Sequence, residues 1–499
     1  MFEHIIQSTY LLQPETALLV GFCLTLIFAF AFPKGGTRFG WLALCILAVT
    51  GYLLTRQASS VPKSIFDNML AVDGFSLFFR SVILLSSALV VIFSFHLKEL
   101  TAARRPLGEY YAFIMALTLG TFLMAGASNL LMIYLSLELT SISSYILAGY
   151  TKDAADSSEA SLKYVIYGAV SSGIMLYGIS ILYGLTGAVD LYGIQKAIMM
   201  GNINDIALII AGIFIVAGFG YKISVVPFHF WTPDVYEGAP ITITALLSVA
   251  SKAAGFAMMI RFFKVSFFDV TVGNLLPGYW AIFQGFQWNH LLAILSVLTM
   301  TIGNLVAIWQ TNMKRLLAYS SIAHAGYMLL GVVVLSNEGL AAVLIYFVVY
   351  LFMNLGAFYC VMLIANETGS EDIEDYRGLG FRSPFIGVSL TIFLLSLTGI
   401  PPTAGFIGKL YLFAALINAK YIVLAVIGVL NSVVSLYYYA RVLRNMFLRD
   451  PDASATDLKF SPAQIIIVLI LVLPTILLGL YFSPLVEIAQ ASVSMFGIR

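Results

Sequence analysis

The sequence predicts an all-α membrane protein of about fourteen transmembrane helices, and three observations carry that reading. Only 10% of its 499 residues are charged against 60% hydrophobic, and the mean hydropathy is +0.95. Soluble domains carry about 25% charged residues, so this composition does not make a water-facing surface. Apolar runs of roughly 18 or more residues recur from end to end, each long enough to cross ~30 Å of hydrocarbon as a helix. Basic residues, finally, are distributed unevenly between the connecting segments. No stretch outside the apolar runs is long enough for a second folded unit, so the chain reads as a single membrane domain.

The spans run over about 16–33, 38–55, 73–95, 109–127, 129–149, 160–185, 205–225, 240–263, 290–310, 316–336, 339–364, 384–418, 420–446 and 463–482, with edges good to a few residues. The opening MFEHIIQSTYLL lacks a basic stretch and a small-residue cleavage site, so the first helix itself is expected to direct insertion. Span seven meets Pro227 just beyond its apolar part. Span twelve is too long for one straight helix and carries Pro401-Pro402 at its middle. Proline removes a backbone donor and clashes with the preceding turn, so both spans should be broken.

Orientation follows from the basic residues. With the N-terminus outside, fifteen fall in cytoplasmic segments or helix ends, among them Lys34, Arg38, Arg104, Arg105, Arg441 and Arg449. Seven fall outside, including Arg56, Arg261, Lys264 and Arg499. That bias is the one the positive-inside rule expects, and it places both termini on the outer side.

Four basic residues remain inside spans: Arg80, Lys222, Lys252 and Lys409. Of the acidic residues only Glu138 falls deep in a span, in LLMIYLSLELTSISSYIL. An ionised group at mid-bilayer costs roughly 2.5–3.5 kcal/mol on insertion scales, so each needs a partner, a wet cavity or a task. Glu138 is either a neutral carboxyl bonded to a neighbouring helix or a counter-charge that holds a nearby lysine protonated. Lys222, in GFGYKISVVPFHFW, either snorkels to the interface or changes charge as the break beside it hydrates. Lys252 is too central to snorkel, and Ser248, Ser251, Ala253 and Gly255 around it leave room for water or close packing. Lys409 follows the double proline by seven residues. Two broken helices, each with a lysine near the break, are the mark of a transporter built from repeated halves. Spans 4–8 and 9–13 are five helices each; an odd number makes the two repeats inverted. Residues 1–108 then form three leading helices, 109–263 and 290–446 the repeats, and 463–482 a last helix.

Lys314 and His324, in NMKRLLAYSSIAHAGYM, stand ten residues apart, about 15 Å along a helix. His324 suits a proton relay near neutral pH, and equally a polar packing contact, so the pair is auxiliary. Arg80, outside the repeats, is expected to be structural, held by a carbonyl or a carboxylate. Cys23, Cys45 and Cys360 lie in apolar runs without ligand-like spacing, and five scattered histidines form no haem, zinc or iron–sulfur motif. The chain is therefore expected to bind no cofactor, and a self-contained redox enzyme is excluded.

Four stretches carry a family resemblance: ELTSISSYILAGY, KISVVPFHFWTPDVYEGAP, NMKRLLAYSSIAHAGYMLLG and GIPPTAGFIGKLYLF. They resemble subunit N of NADH–quinone oxidoreductase (respiratory complex I), the counterpart of the mitochondrial subunit 2 and of its plastid equivalent, over essentially the whole chain. Thr232 favours the N type over the related L and M types, which usually have leucine there. Lys409 argues against the M type, which typically carries glutamate, and the long lateral helix of the L type does not follow span fourteen. The three leading helices, lacking in mitochondrial relatives, point to a bacterial cell inner membrane or a plastid thylakoid.

The resemblance implies a proton channel without redox chemistry of its own. Glu138 matches the span-five glutamate that pairs with the span-seven lysine, Lys222. Lys252 matches the central lysine, Lys409 the exit-side lysine, and Lys314 with His324 the polar connection between them. NADH or another donor and quinone are used by the whole complex, whose other membrane-arm subunits are the implied partners; the lipid bilayer surrounds them, and no nucleic acid is expected. Unit charges 4 Å apart at an effective dielectric of 20 attract by about 4 kcal/mol, so separating Glu138 from Lys222 would drive the proton on towards Lys252 and Lys409. A subunit of a multi-chain Na+/H+ antiporter is the nearest rival. A carrier of organic solutes is a more distant one, because lysines rather than mixed polar groups stand at the breaks.

Overall fold

A computed structural model describes residues 8–32, 36–58, 61–102, 107–201, 203–268, 286–451 and 457–494. Among them thirteen helices are long and apolar enough to cross a membrane. In order these are α1 (Gln13–Ala31), α2 (Arg38–Gln57), α3 (Gly74–Ser94), α4 (Leu107–Gly126), α5 (Leu130–Ala148), α6 (Ala155–Thr186), α7 (Asp205–Ile223), α9 (Ile241–Ser266), α10 (Trp288–Ala307), α11 (Met313–Val334), α12 (Asn337–Thr368), α15 (Ile422–Leu448) and α16 (Pro462–Leu480). The short α8 (Trp231–Gly238) follows α7. Two shorter apolar helices, α13 (Pro384–Thr398) and α14 (Ala404–Asn418), occupy span twelve. Together they bring the spans to the fourteen expected. A terminal α17 (Ser483–Ser494) lies against α3 and α12. The chain termini, Lys34, Arg104, Arg105 and Arg499 fall outside the described residues.

The interior belongs to α9, α11 and α12. The apolar stretch of α9 is wholly buried, and those of α11 and α12 nearly so, whereas α1, α2, α15 and α16 show most of their apolar surface to the outside. Helices hydrophobic all round belong in such a core or against lipid. Polar side chains in the middle of α9 and α11, such as Lys252, Ser321 and His324, are therefore held away from both lipid and bulk water.

Two features near the N-terminus are not legible as spans. A hairpin, β1 (Lys63–Ile65) antiparallel to β2 (Leu70–Val72), joins α2 to α3. Beside it lie two fully buried ion pairs. Arg80 on α3 contacts Glu15 of α1 at 2.8 Å and donates to the Phe122 carbonyl at the end of α4. The structural role expected for Arg80 thus has its carboxylate. Arg261, which the charge sorting places among the outside residues, is fully buried and forks onto Asp73 at 2.8 and 2.9 Å. Asp73 in turn caps α3, accepting from the Ser76 amide. Glu15 and Asp73 fall at span boundaries, where sequence alone does not separate a wet terminus from a buried one.

Backbone joints recur at a spacing of about 182 residues. The Leu130 amide donates to the Val189 carbonyl and Leu191 to Ser128. Likewise Met313 donates to Glu371 and Ile373 to Thr311. Asn129 and Asn312 cap the helices that start at these joints. The 32-residue α6 and α12 both end in Thr-Gly, with the glycine left-handed at φ 66° and 73°.

Candidate functional site

The two interruptions are built alike. α7 stops at Ile223, and Ser224 turns left-handed at φ 63°; α13 stops at Thr398, and Gly399 does so at φ 91°. In each, the next residue's amide reaches back five positions, Val225 to Gly220 and Ile400 to Leu395. A left-handed residue with a long backward bond is the usual way a helix is closed. The proline then prevents the helix from resuming in register.

What differs is who takes the freed carbonyls. At the first break Trp231 Nε1 donates to the Tyr221 carbonyl at 3.1 Å, and Thr232 bonds Ser224 at 2.8 Å. Lys222 is left to reach sideways, donating to Ser141 Oγ on α5 at 3.2 Å. At the second break the carbonyls of Leu397 and Thr398 accept from Lys409 Nζ itself at 3.2 and 2.8 Å. The negative end of a helix dipole suits a cation there. Ser432 Oγ completes the set at 3.1 Å, and the ammonium lies 4.4 Å from the Tyr327 ring centre, a cation–π distance. Gly399 is required twice: its φ is positive, and a Cβ would stand 2.8 Å from Lys409 Cδ.

Glu138 and Lys222 form no ion pair within 4 Å; the ammonium donates instead to Ser141, one turn along α5 from Glu138. The carboxylate and the ammonium remain within electrostatic reach. Glu138 is half-buried, and its Oε1 has no protein partner among the described residues. It therefore faces the edge of the bundle, where Leu131, Leu135, Ile142 and Ile146 on the same helix are exposed.

Lys252 lies at the centre. The helix α9 is interrupted by a π turn, Leu247–Ser251, immediately before it. Such a turn inserts a residue and frees backbone groups, and it is often found at functional sites. Ser248 in the turn accepts from Asn354 Nδ2 of α12 at 2.6 Å. Lys252 Nζ donates to Ser321 of α11 twice, to the carbonyl at 2.9 Å and to Oγ at 2.6 Å. One turn past Lys252, Gly255 lets α7 come close: a Cβ there would meet Lys222 Cγ at 3.3 Å and Ile223 Cγ2 at 2.6 Å. The two lysines are thus brought onto one contact between α7 and α9.

From Lys252 the polar face continues along α11. Ser321, His324 and Tyr327 follow at one-turn spacing, the first under Lys252 and the last under Lys409. His324 is within electrostatic reach of both lysines, and its Nδ1 bonds Tyr346 Oη at 2.7 Å. His324 therefore occupies the gap between Lys252 and Lys409. Lys314 is placed elsewhere, at the first turn of α11. It pairs with Glu371 at 2.8 Å and donates to the Ala239 carbonyl. Around it Asp234 of α8 binds Lys163 of α6 and Arg315 of α11 at 2.6 and 2.8 Å, and Glu237 binds Arg315 at 2.6 Å. Burial pushes the Asp234 carboxyl up, but the bonds from Lys163 and Arg315 outweigh it and hold the group below its ordinary range.

A family model described as "NADH:quinone oxidoreductase/Mrp antiporter, TM" matches residues 127–435. A protein of Chloroherpeton thalassium called NADH-quinone oxidoreductase subunit N 2 is 49% identical over 472 residues, 94% of this chain and 91% of that one. The chain belongs to this NADH:quinone oxidoreductase/Mrp antiporter family. A solved structure of respiratory complex I from Thermus thermophilus contains a chain of the same fold, with a TM-score of 0.78, 29% identity, and coverage of 96% and 99%. The Mrp complex from Dietzia contains another, with a TM-score of 0.81 at 20% identity and coverage of 98% and 97%; at that identity the likeness is one of fold.

Scarcity of charge picked out the lysines of this family member, and it could not pick out what touches them. Ser321 and Tyr327 are uncharged, and the chain has 27 tyrosines. Only the one-turn spacing of Ser321, His324 and Tyr327 on a helix already carrying a histidine would have marked them. Among the described residues no group of His, Cys, Asp and Glu is arranged to hold a metal ion.

Proposed function

We propose that the chain is a proton-translocating, non-redox subunit of the membrane arm of an NADH–quinone oxidoreductase of the N type, conducting protons along Glu138, Lys222, Lys252, His324 and Lys409. The observation that carries the reading is the buried row Ser321, His324 and Tyr327 on α11, in which Lys252 and Lys409 each touch a residue one turn from His324. A cation buried without a carboxylate is costly, and three such lysines in one interior are most simply retained for transfer of charge. Glu138 is the control point in this reading. Because Ser141, which binds Lys222, is on the same helix as Glu138, a small shift of α5 changes the attraction between Glu138 and Lys222 and with it the hold of Lys222 on its proton.

The recurring joints and the matched breaks support two five-helix repeats, 109–263 and 290–446, inverted relative to one another, with 1–108 and 463–482 as additions. Lys314 is assigned to the mouth of the path rather than to its middle. NADH or another donor and quinone act on other subunits, the antiporter-like M and L types and the small membrane subunits being the partners. The membrane is a bacterial inner membrane or a thylakoid, and both termini are placed on its outer side by the basic-residue bias.

The test uses the assembled complex in vesicles, measuring proton uptake and NADH oxidation together. Glu138→Ala and Lys222→Ala are each expected to depress proton uptake while the complex still assembles. Full uptake in both variants with electron transfer running would end the assignment. The shared fold with the Mrp subunit keeps one rival open, a subunit of a multi-chain Na+/H+ antiporter. Sodium-driven proton movement without NADH or quinone would favour it.

A further inference from the structure

We propose that Asn304 is a seal, which keeps Lys409 from exchanging protons directly with the mouth of the path. The proposal rests on the proton-path reading above, since a seal matters only where Lys409 carries protons. A lysine that hands its proton to one side of a membrane must not be open to the other. Polar contacts nevertheless run from Lys409 towards the mouth side, away from the row on α11.

They begin at Ser432 of α15, which accepts from Lys409 Nζ at 3.1 Å and bonds Tyr327 Oη at 3.2 Å. Asn304 of α10 comes next, its Nδ2 3.5 Å from the same Tyr327 oxygen. Beyond it, Tyr438 of α15 donates to Asn304 Oδ1 at 3.0 Å. Asn304 lies in the last turn of α10. Residues 308–312 lead from there to the first turn of α11, where Lys314 pairs with Glu371 at the mouth.

Of these side chains Asn304 alone cannot relay. Lysine, serine and tyrosine can each give up a hydrogen and take another at the same atom. An amide holds its two ends apart: Nδ2 only donates and Oδ1 only accepts. The orientation is fixed, because Nδ2 donates at 3.1 Å to the Asn431 carbonyl, which can only accept. Asn431 is held in turn by the Ile427 carbonyl at 3.1 Å and by Thr301 at 3.3 Å. Asn304 is fully buried, and Gly303 beside it lets α11 pack close, since a Cβ there would stand 2.8 Å from the Ala323 nitrogen.

A second feature serves the same end. Arg441, one turn beyond Tyr438 on α15, donates to the Ile308 carbonyl at 2.8 Å and to that of Gln310. A fixed guanidinium at an entrance is an electrostatic barrier to protons. The contacts from Lys409 thus end in an amide that does not relay, with a cation behind it.

The test uses the assembled complex in vesicles that hold a pH gradient, with no NADH present. Asn304→Asp keeps the shape but supplies a carboxyl that can take and give a proton, and it should make the gradient decay severalfold faster. Asn304→Leu supplies no such group and should hold the gradient as the wild type does. The leak should vanish when Asn304→Asp is combined with Lys409→Ala. Should Asn304→Asp fail to assemble, Asn304→Ser, uncharged and small enough to admit a water, decides in its place. Wild-type decay in the deciding variant, an equal leak in Asn304→Leu, or a leak that survives Lys409→Ala overturns the seal. Wild-type proton uptake by Lys409→Ala alone during NADH oxidation overturns the path itself.

Discussion

Arg261 forks onto Asp73 with both partners fully buried, and removing one partner of such a pair strands the other as an unpaired charge. Asp73→Ala is therefore expected to destabilise the subunit by about 3–5 kcal/mol, read as a lower thermal midpoint of the purified complex. Adding Arg261→Met should recover most of that loss. About 1 kcal/mol should remain, because Asp73 also caps α3. Gly399→Ala tests the second break. A left-handed L residue costs roughly 1–2 kcal/mol, and the added methyl would press on Lys409 Cδ, so proton uptake should fall further than stability does. The sequence exposed Lys222, Lys252 and Lys409 because a cation amid apolar residues needs a partner, a wet cavity or a task. It hid Arg261, Asp73 and Glu15, since each falls at a span boundary, where burial depends on neighbouring helices and not on the local run.

A helix interrupted by a π turn points everything beyond the turn in a different direction from a continuous α-helix. Lys252 follows Leu247–Ser251 directly, so its aim at Ser321 depends on the turn absorbing the extra residue. Deleting Val249 should restore an α-helical count and leave Lys252 facing Ser321, whereas deleting Val249 and Ala250 together should swing it by about 100°. Proton uptake should survive the single deletion and be lost in the double one, while immunoblots of the membranes still find the subunit in the complex; retained uptake in the double deletion would separate the lysine's aim from the turn. The turn itself was invisible in LLSVASKAAGF, where nothing but a helix is written, whereas Pro227 and Pro401-Pro402 announced the other interruptions because proline acts on its own backbone. At α8 the expectation is the opposite, a small effect. Asp234→Asn loses half-exposed ion pairs to Lys163 and Arg315, worth about 0–1 kcal/mol each. Its carboxyl is held below the ordinary range, so the stability it contributes is present above about pH 4 and is lost only as pH falls through the lowered value. Melting curves should accordingly show the same small Asp234→Asn difference at every pH between about 6 and 8.

At the scale of the whole chain the buried lysines sit in a structure whose backbone joints recur. The sequence revealed the period only as two proline breaks with lysines; the joints that carry it are main-chain bonds, Leu130 to Val189 and Met313 to Glu371, which leave little trace in side chains. Their one legible residue is the asparagine at each, Asn129 and Asn312, capping α5 and α11. These helices hold Glu138 with Ser141 and Ser321 with His324, so the joints fix the height of the first and of the central groups of the proposed path. If the joints are copies of one device, Asn129→Ala and Asn312→Ala should each cost about 1 kcal/mol, the usual value of a lost helix cap. Asn312 should cost somewhat more, because its Nδ2 also bonds Glu371 at 3.2 Å, and Glu371 is the partner of Lys314. Thermal unfolding of the two variant complexes measures this directly. A large loss for one and none for the other would mean that the joints only look alike, and that the two halves are held by different means.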